Sequence, residues 1–127
     1  MFRPQPSRVN SRWVIVSTSL ARRARIDGLI TIGSPLGLDE VQDKLQPGWS
    51  RDDGFPNAKV SRGWANLFDA LDPVCGFDPM LANDYKLSGA EKVTDIEIEN
   101  DGVWRHSATK YLRQSELSSA LRRLLGL

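Results

Sequence analysis

Short strand-like runs set far apart constrain this chain most. Trp13-Val14-Ile15-Val16, Leu29-Ile30-Thr31-Ile32, Trp64-Ala65-Asn66-Leu67-Phe68 and Val93-Thr94-Asp95-Ile96-Glu97-Ile98 each suit a strand. The first two are short apolar runs rich in β-branched residues, as buried strands are. The last alternates apolar and acidic residues from Asp95 on, so it has one wet face and belongs near a sheet edge. Helical or loop segments separate the runs. This alternation predicts an α/β fold: a partial, mostly parallel sheet of about four strands with flanking helices. The last three strands are expected as parallel neighbours in chain order.

The segments between the runs carry their own signals. Residues 1–12 are polar and hold Pro4 and Pro6, which predicts a disordered arm before a domain over residues 13–127. Residues 39–45 have room for a helical turn or two, with Leu38, Val41 and Leu45 on one side. Residues 46–63 hold Pro47, Gly48, Asp52, Asp53, Gly54, Pro56 and Gly63, and read as a long irregular loop of the kind used as a lid. Asp78-Pro79-Met80-Leu81-Ala82 looks like a helix start, with Asp78 as cap and Pro79 at the first position. Asn100-Asp101-Gly102 is a turn. From Ser115 to Leu125 the spacing predicts a helix with Leu117, Leu121, Leu124 and Leu125 on one face and Gly126 near its stop. Leu117, Leu121 and Leu124 are expected against the sheet.

Composition removes several function classes. The chain has 127 residues, enough for one domain. Its 17 basic and 16 acidic residues give a net charge of +1, so no global field draws in nucleic acid or an anionic membrane. The clusters Arg22-Arg23, Arg25 and Arg122-Arg123 read as solvated helix faces. One cysteine, Cys75, excludes an internal disulfide, and one cysteine with one histidine makes a poor metal site. No G-x-G-x-x-G or P-loop motif supports a nucleotide-binding reading, and no cofactor is expected. No apolar run suits a membrane span, and the first residues do not resemble a signal peptide, so the expected location is cytoplasmic.

Three phrases carry a resemblance. They are Leu29-Ile30-Thr31-Ile32-Gly33-Ser34-Pro35-Leu36-Gly37, then Trp64 through Val74 (Trp-Ala-Asn-Leu-Phe-Asp-Ala-Leu-Asp-Pro-Val), then His106-Ser107-Ala108-Thr109-Lys110-Tyr111-Leu112. In this order, from about Ile26 onward, they resemble the C-terminal half of a bacterial α/β-hydrolase. The first phrase is similar to the sixth strand and its loop, the second to the seventh strand with the catalytic acid, the third to the loop of the catalytic histidine. The resemblance implies that Asp72 is the acid and His106 the base of a Ser-Asp-His triad. It implies a carboxylic-ester, acyl or lipid-like substrate. Asp72 directly follows the strand, and both side chains should meet at the carboxyl edge of the sheet although 34 positions separate them (106 minus 72). Without the resemblance, Asp72-Pro73 reads as a turn whose aspartate bonds nearby amides, and His106 as an ordinary residue.

The third triad member is where the pattern fails. The family's nucleophile lies in a G-x-S-x-G elbow, and no intact copy is present. Gly33-Ser34-Pro35-Leu36-Gly37 has Pro35 at its centre, so Ser34 reads as a turn residue. Ser17-Thr18-Ser19-Leu20-Ala21 echoes an elbow with Ser19 as nucleophile, but Ser17 and Ala21 replace the glycines that permit the tight turn. Twelve residues (17 through 28) separate Val16 from Leu29, little room for the following helix. The plain alternatives are a serine in a loop, or an unrelated beginning joined to a hydrolase tail by truncation or a shifted frame. Two functions follow. One is a serine hydrolase lineage, inactive alone for want of its elbow. The other is a non-catalytic remnant or interaction module that completes its sheet with another chain. An exposed sheet edge would favour self-association in either case.

Overall fold

The computed structural model describes residues 26–45, 55–57, 60–87 and 93–127. The expected arm over 1–12, the strand over 13–16 and Ser19 lie outside the described residues. Within them the order is β1 (Ile26–Ile32), a 3-10 turn (Pro35–Gly37), α1 (Asp39–Leu45), β2 (Phe55–Asn57), β3 (Val60–Phe68), β4 (Tyr85–Leu87), β5 (Val93–Glu97), α2 (Ala108–Arg113) and α3 (Ser115–Leu125).

The sheet is three-stranded in the order β1-β3-β5, and every pairing in it is parallel. The register runs Leu29↔Trp64↔Val93, Thr31↔Asn66↔Asp95 and Ile32↔Leu67↔Ile96. This is a partial α/β fold with flanking helices. The three strands are neighbours in chain order, as expected, and β5 lies at an edge of the described sheet. β2 and β4 pair in parallel as a separate two-stranded ribbon. It was not expected, because Pro56 and the surrounding turn residues mask a strand of three.

Successive residues of a strand face opposite ways, and this divides the core in two. One side gathers Val60, Trp64, Leu81, Tyr85 and Val93, with Leu29 and Leu36 against them. The Trp64 and Tyr85 rings meet edge to face with centroids 5.0 Å apart. The other side gathers Ala65, Leu67, Ile98, Tyr111 and Ala120, joined by Ile30, Ile32, Ile96 and Leu117. Helix α3 packs on that second side.

The helix meets the sheet less broadly than its leucines suggest. Leu117 reaches the core and Ala120 is buried, but Leu121 and Leu125 are 48% and 58% exposed. Leu124 lies over Gly28, where an added Cβ would stand 3.2 Å from the leucine side chain. Gly126 ends the helix as expected, in the left-handed region at φ 72°, and the Leu127 amide donates to the Arg122 carbonyl at 2.9 Å. Arg122 and Arg123 stand in the last turn, where the helix dipole favours cations.

Four further expectations need correction. In α1 the fully buried residue is Gln42, whereas Leu45 is exposed. The Gln42 amide donates to the Leu36 carbonyl and to Asp84 Oδ2, at 2.9 and 2.8 Å, and this polar reach selects the buried face. Residues 78–82 do not start a helix. The Leu81 and Ala82 amides donate to the two oxygens of Asp95, each at 2.9 Å, and the Pro79 carbonyl accepts from Asn66 Nδ2 at 2.9 Å. Asp95 is therefore a partly buried anchor rather than part of a wet face. The strand over Trp64–Phe68 begins earlier, at Val60, inside the stretch expected as loop. No helix among the described residues is long and apolar enough to cross a membrane.

Candidate functional site

Strand β3 ends at Phe68, four residues before Asp72, so the acid does not follow the strand directly. A turn intervenes, closed by the Asp72 amide donating to the Asp69 carbonyl at 2.9 Å. Asp69 shapes that turn with its side chain. Its Oδ1 accepts from the Leu71 amide at 2.8 Å, and its Oδ2 from the Asn100 amide at 2.7 Å. The turn thus hangs from the loop that follows β5.

That loop carries His106 and is tied at both ends by Asn100, which is fully buried. Asn100 Nδ2 donates to the Arg105 carbonyl at 2.9 Å, and its Oδ1 accepts from Gln114 Nε2 at 3.0 Å. Arg105 donates to the Asn100 carbonyl and lies 3.4 Å from Asp69 Oδ2. Gly102 takes φ 74° at the expected turn. The Ser107 carbonyl then accepts from the Lys110 and Tyr111 amides, each at 3.1 Å, which starts α2 two residues after the histidine, with Ser107 as its cap.

His106 Nδ1 and Asp72 Oδ2 are 2.9 Å apart, at the carboxyl ends of the parallel strands. The Asp72 side chain is fully buried and the His106 side chain 36% exposed. Burial would push the Asp72 carboxyl up, but hydrogen bonds from Tyr111, His106 and the Val74 amide outweigh it and hold the carboxyl below its ordinary range. An ionised carboxylate only accepts, so Nδ1 carries the proton in this bond. In the neutral ring that leaves the Nε2 lone pair free, and Nε2 makes no hydrogen bond to a described residue. Asp72 Oδ1 meanwhile accepts from the Val74 amide at 2.8 Å. The turn reading of Asp72-Pro73 therefore holds, on the oxygen that the histidine does not use.

Two participants were not identified from the sequence. Tyr111, almost fully buried, donates its hydroxyl proton to Asp72 Oδ2 at 2.6 Å. Its phenol oxygen accepts from the Asp69 amide at 3.1 Å. The available signal was its place in α2, where Tyr111 is the buried residue. Gly33, the residue after β1, is the other. It sits at φ 54°, and a Cβ there would stand 2.6 Å from Asp72 Oδ2 and 3.0 Å from His106 Nδ1. Its neighbour Ser34 is a turn residue as expected, its hydroxyl accepting from the Leu36 amide at 3.3 Å.

Cys75 is the other nucleophile type close by, and its surroundings disable it. It is fully buried, with Sγ 4.0 Å from the Tyr111 hydroxyl. Burial, and after it the Asp72 charge, pushes the thiol up to about 11. The thiolate is the reactive form, so Cys75 in the folded protein should react with a disulfide reagent at pH 8 at least about 100-fold slower than in urea. Equal rates in the two conditions would contradict this burial. No group of three or more His, Cys, Asp or Glu among the described residues is arranged to hold a metal ion.

The site is thus a histidine with one ring nitrogen fixed by a buried carboxylate and the other free. Comparison with protein-family models, curated proteins and solved structures finds no match, so the functional reading rests on this geometry and on the residues themselves.

Proposed function

We propose that the chain carries the acid and the base of a serine-hydrolase-type acyl-transfer site, on a fold of the α/β-hydrolase C-terminal kind. The observation that supports this reading is the 2.9 Å contact between His106 Nδ1 and the buried Asp72 carboxylate, beside the ends of parallel strands. Its substrate class is a carboxylic ester or a lipid-like acyl compound.

The chemistry follows from which ring nitrogen is free. Nε2 takes the proton of a serine hydroxyl as the serine oxygen bonds to the substrate carbonyl carbon. Asp72 stabilises the imidazolium that results. The same proton then passes to the departing alcohol as the carbonyl–oxygen bond breaks, leaving an acyl-enzyme for water to cleave by the reverse roles. Backbone amides must hold the developing oxyanion.

Ser19 is the serine with an elbow-like setting, and it lies outside the described residues. Its flanking Ser17 and Ala21 lack the freedom of the glycines that an elbow uses. The chain alone should therefore hydrolyse a short-chain p-nitrophenyl ester at background rate, with Ser19→Ala and His106→Ala indistinguishable from it. Turnover lost by several powers of ten in both variants would make Ser19 the nucleophile and the chain a working hydrolase. Turnover above background that His106→Ala leaves untouched would sink His106 as base. A fluorophosphonate label on Ser19 separates a competent nucleophile from a non-catalytic module.

A further inference from the structure

We propose that Tyr111 is a positioning residue of this site: its hydroxyl fixes the Asp72 carboxylate in the orientation that receives His106 Nδ1. The inference rests on the acid–base reading of Asp72 and His106, but its readouts do not depend on turnover.

The geometry is a clamp. His106 and Tyr111 stand five residues apart on either side of the α2 start (111 minus 106), and both bond the same carboxylate oxygen. Nδ1 lies 2.9 Å and the phenol oxygen 2.6 Å from Asp72 Oδ2. One short stretch of chain thus grips the acid twice. The Val74 amide holds the other oxygen at 2.8 Å, so the carboxylate plane is set by three donors.

The direction of the Tyr111 hydroxyl is also determined. Its oxygen accepts the Asp69 amide at 3.1 Å, so its proton points to the neighbouring acceptor, Asp72. Burial, and then the hydrogen bond to Asp72, pushes the phenol far above its ordinary range, so it stays a donor. The result is a directed chain, Asp69 N–H to Tyr111 O–H to Asp72 Oδ2, in a dry setting where such chains reinforce each bond. Because the amide belongs to the Asp69–Asp72 turn itself, Tyr111 spans the turn and locks its far end. The titratable groups facing Asp72 are His106, Tyr111 and Cys75.

Tyr111→Phe removes the hydroxyl and keeps the ring. His106 is the chain's one histidine, so its imidazole nitrogen signals are unambiguous in NMR. In the wild type, the Nδ1-protonated form should dominate the neutral ring. In the variant it should fall to roughly half, and the Asp72 carboxyl midpoint, followed by its carboxyl carbon, should rise by about one pH unit. A folded variant with both readouts unchanged would overturn the inference. Should Tyr111→Phe fail to fold, 3,5-difluorotyrosine at position 111 decides. Its more acidic hydroxyl should lower the Asp72 midpoint further, and an unmoved midpoint would overturn the inference. Shifted NMR signals with ester turnover that ignores His106 would sink only the hydrolase reading, whereas unmoved signals sink only the role of Tyr111.

Discussion

Replacing Gly33 with alanine is expected to destabilise the protein by about 2–5 kcal/mol and to pull His106 away from Asp72. Two costs add. At φ 54° the residue is in the left-handed region, where an L side chain costs about 1–2 kcal/mol. The new methyl would also stand 2.6 Å from Asp72 Oδ2, 3.0 Å from His106 Nδ1 and 3.0 Å from Tyr111 Cε2, an overpacking worth about 1–3 kcal/mol. Asp72 cannot retreat, since Val74 and Tyr111 hold its two oxygens. The partly exposed histidine is the group free to move. Gly126→Ala is the control, because Gly126 also sits at positive φ but an added methyl would meet nothing within 4 Å. Urea midpoints of the two variants measure the difference. If Gly33→Ala is no less stable than Gly126→Ala, the crowding argument fails.

Asn66→Leu should cost more, about 3–5 kcal/mol, although leucine keeps the same branched outline of four side-chain heavy atoms. Asn66 is fully buried in the central strand β3, two residues before its end, and joins all three strands on one face. Its Oδ1 accepts from Thr31 Oγ1 at 2.8 Å, and its Nδ2 donates to Asp95 Oδ1 at 2.8 Å and to the Pro79 carbonyl. Thr31 in turn accepts from Trp64 Nε1 at 3.0 Å. Leucine would strip each of these partly buried partners at once, and an unsatisfied buried polar group costs about 1–3 kcal/mol. The loss should also free residues 79–82, so the Leu81 and Ala82 amides should exchange with deuterium faster than in the wild type. A stability change under about 1 kcal/mol would show that water or repacking replaces the ladder.

Both residues bear on what the sequence discloses. Ile30-Thr31-Ile32 and Ala65 through Phe68 announce strands because local composition suffices for that. The amphipathic tail and its glycine stop announce α3 in the same way. Asp72 and His106 stand out through a phrase-by-phrase resemblance, and the structure sets His106 Nδ1 2.9 Å from Asp72 Oδ2. Other roles arise only from placement. Asn66 inside a strand looks like a poor strand residue until Thr31 and Asp95 are set beside it by the register. Asp78-Pro79 looks like a helix start until Asp95, 14 residues beyond Leu81, captures the amides such a helix would begin with. Tyr111, Asn100 and Gly33 give no periodic signal. Each serves a partner that is distant in sequence.

The all-parallel order β1-β3-β5 also governs how the chain can find its fold. No neighbouring strands of this sheet can meet through a tight turn. Leu29 pairs with Trp64, 35 residues on, and Trp64 with Val93, 29 residues on (64 minus 29, 93 minus 64). Each pairing must close a long loop, at an entropic cost met before any contact between the strands rewards it. Among the described residues, helix α3 is the longest helix, and the strands it packs on begin nearly 90 residues before it (115 minus 26). High contact order of this kind places folding on the slow side, with bare strand edges exposed while the register is sought. The topology that brings Asp72 and His106 to one edge therefore also leaves the nascent chain open to association before that edge exists.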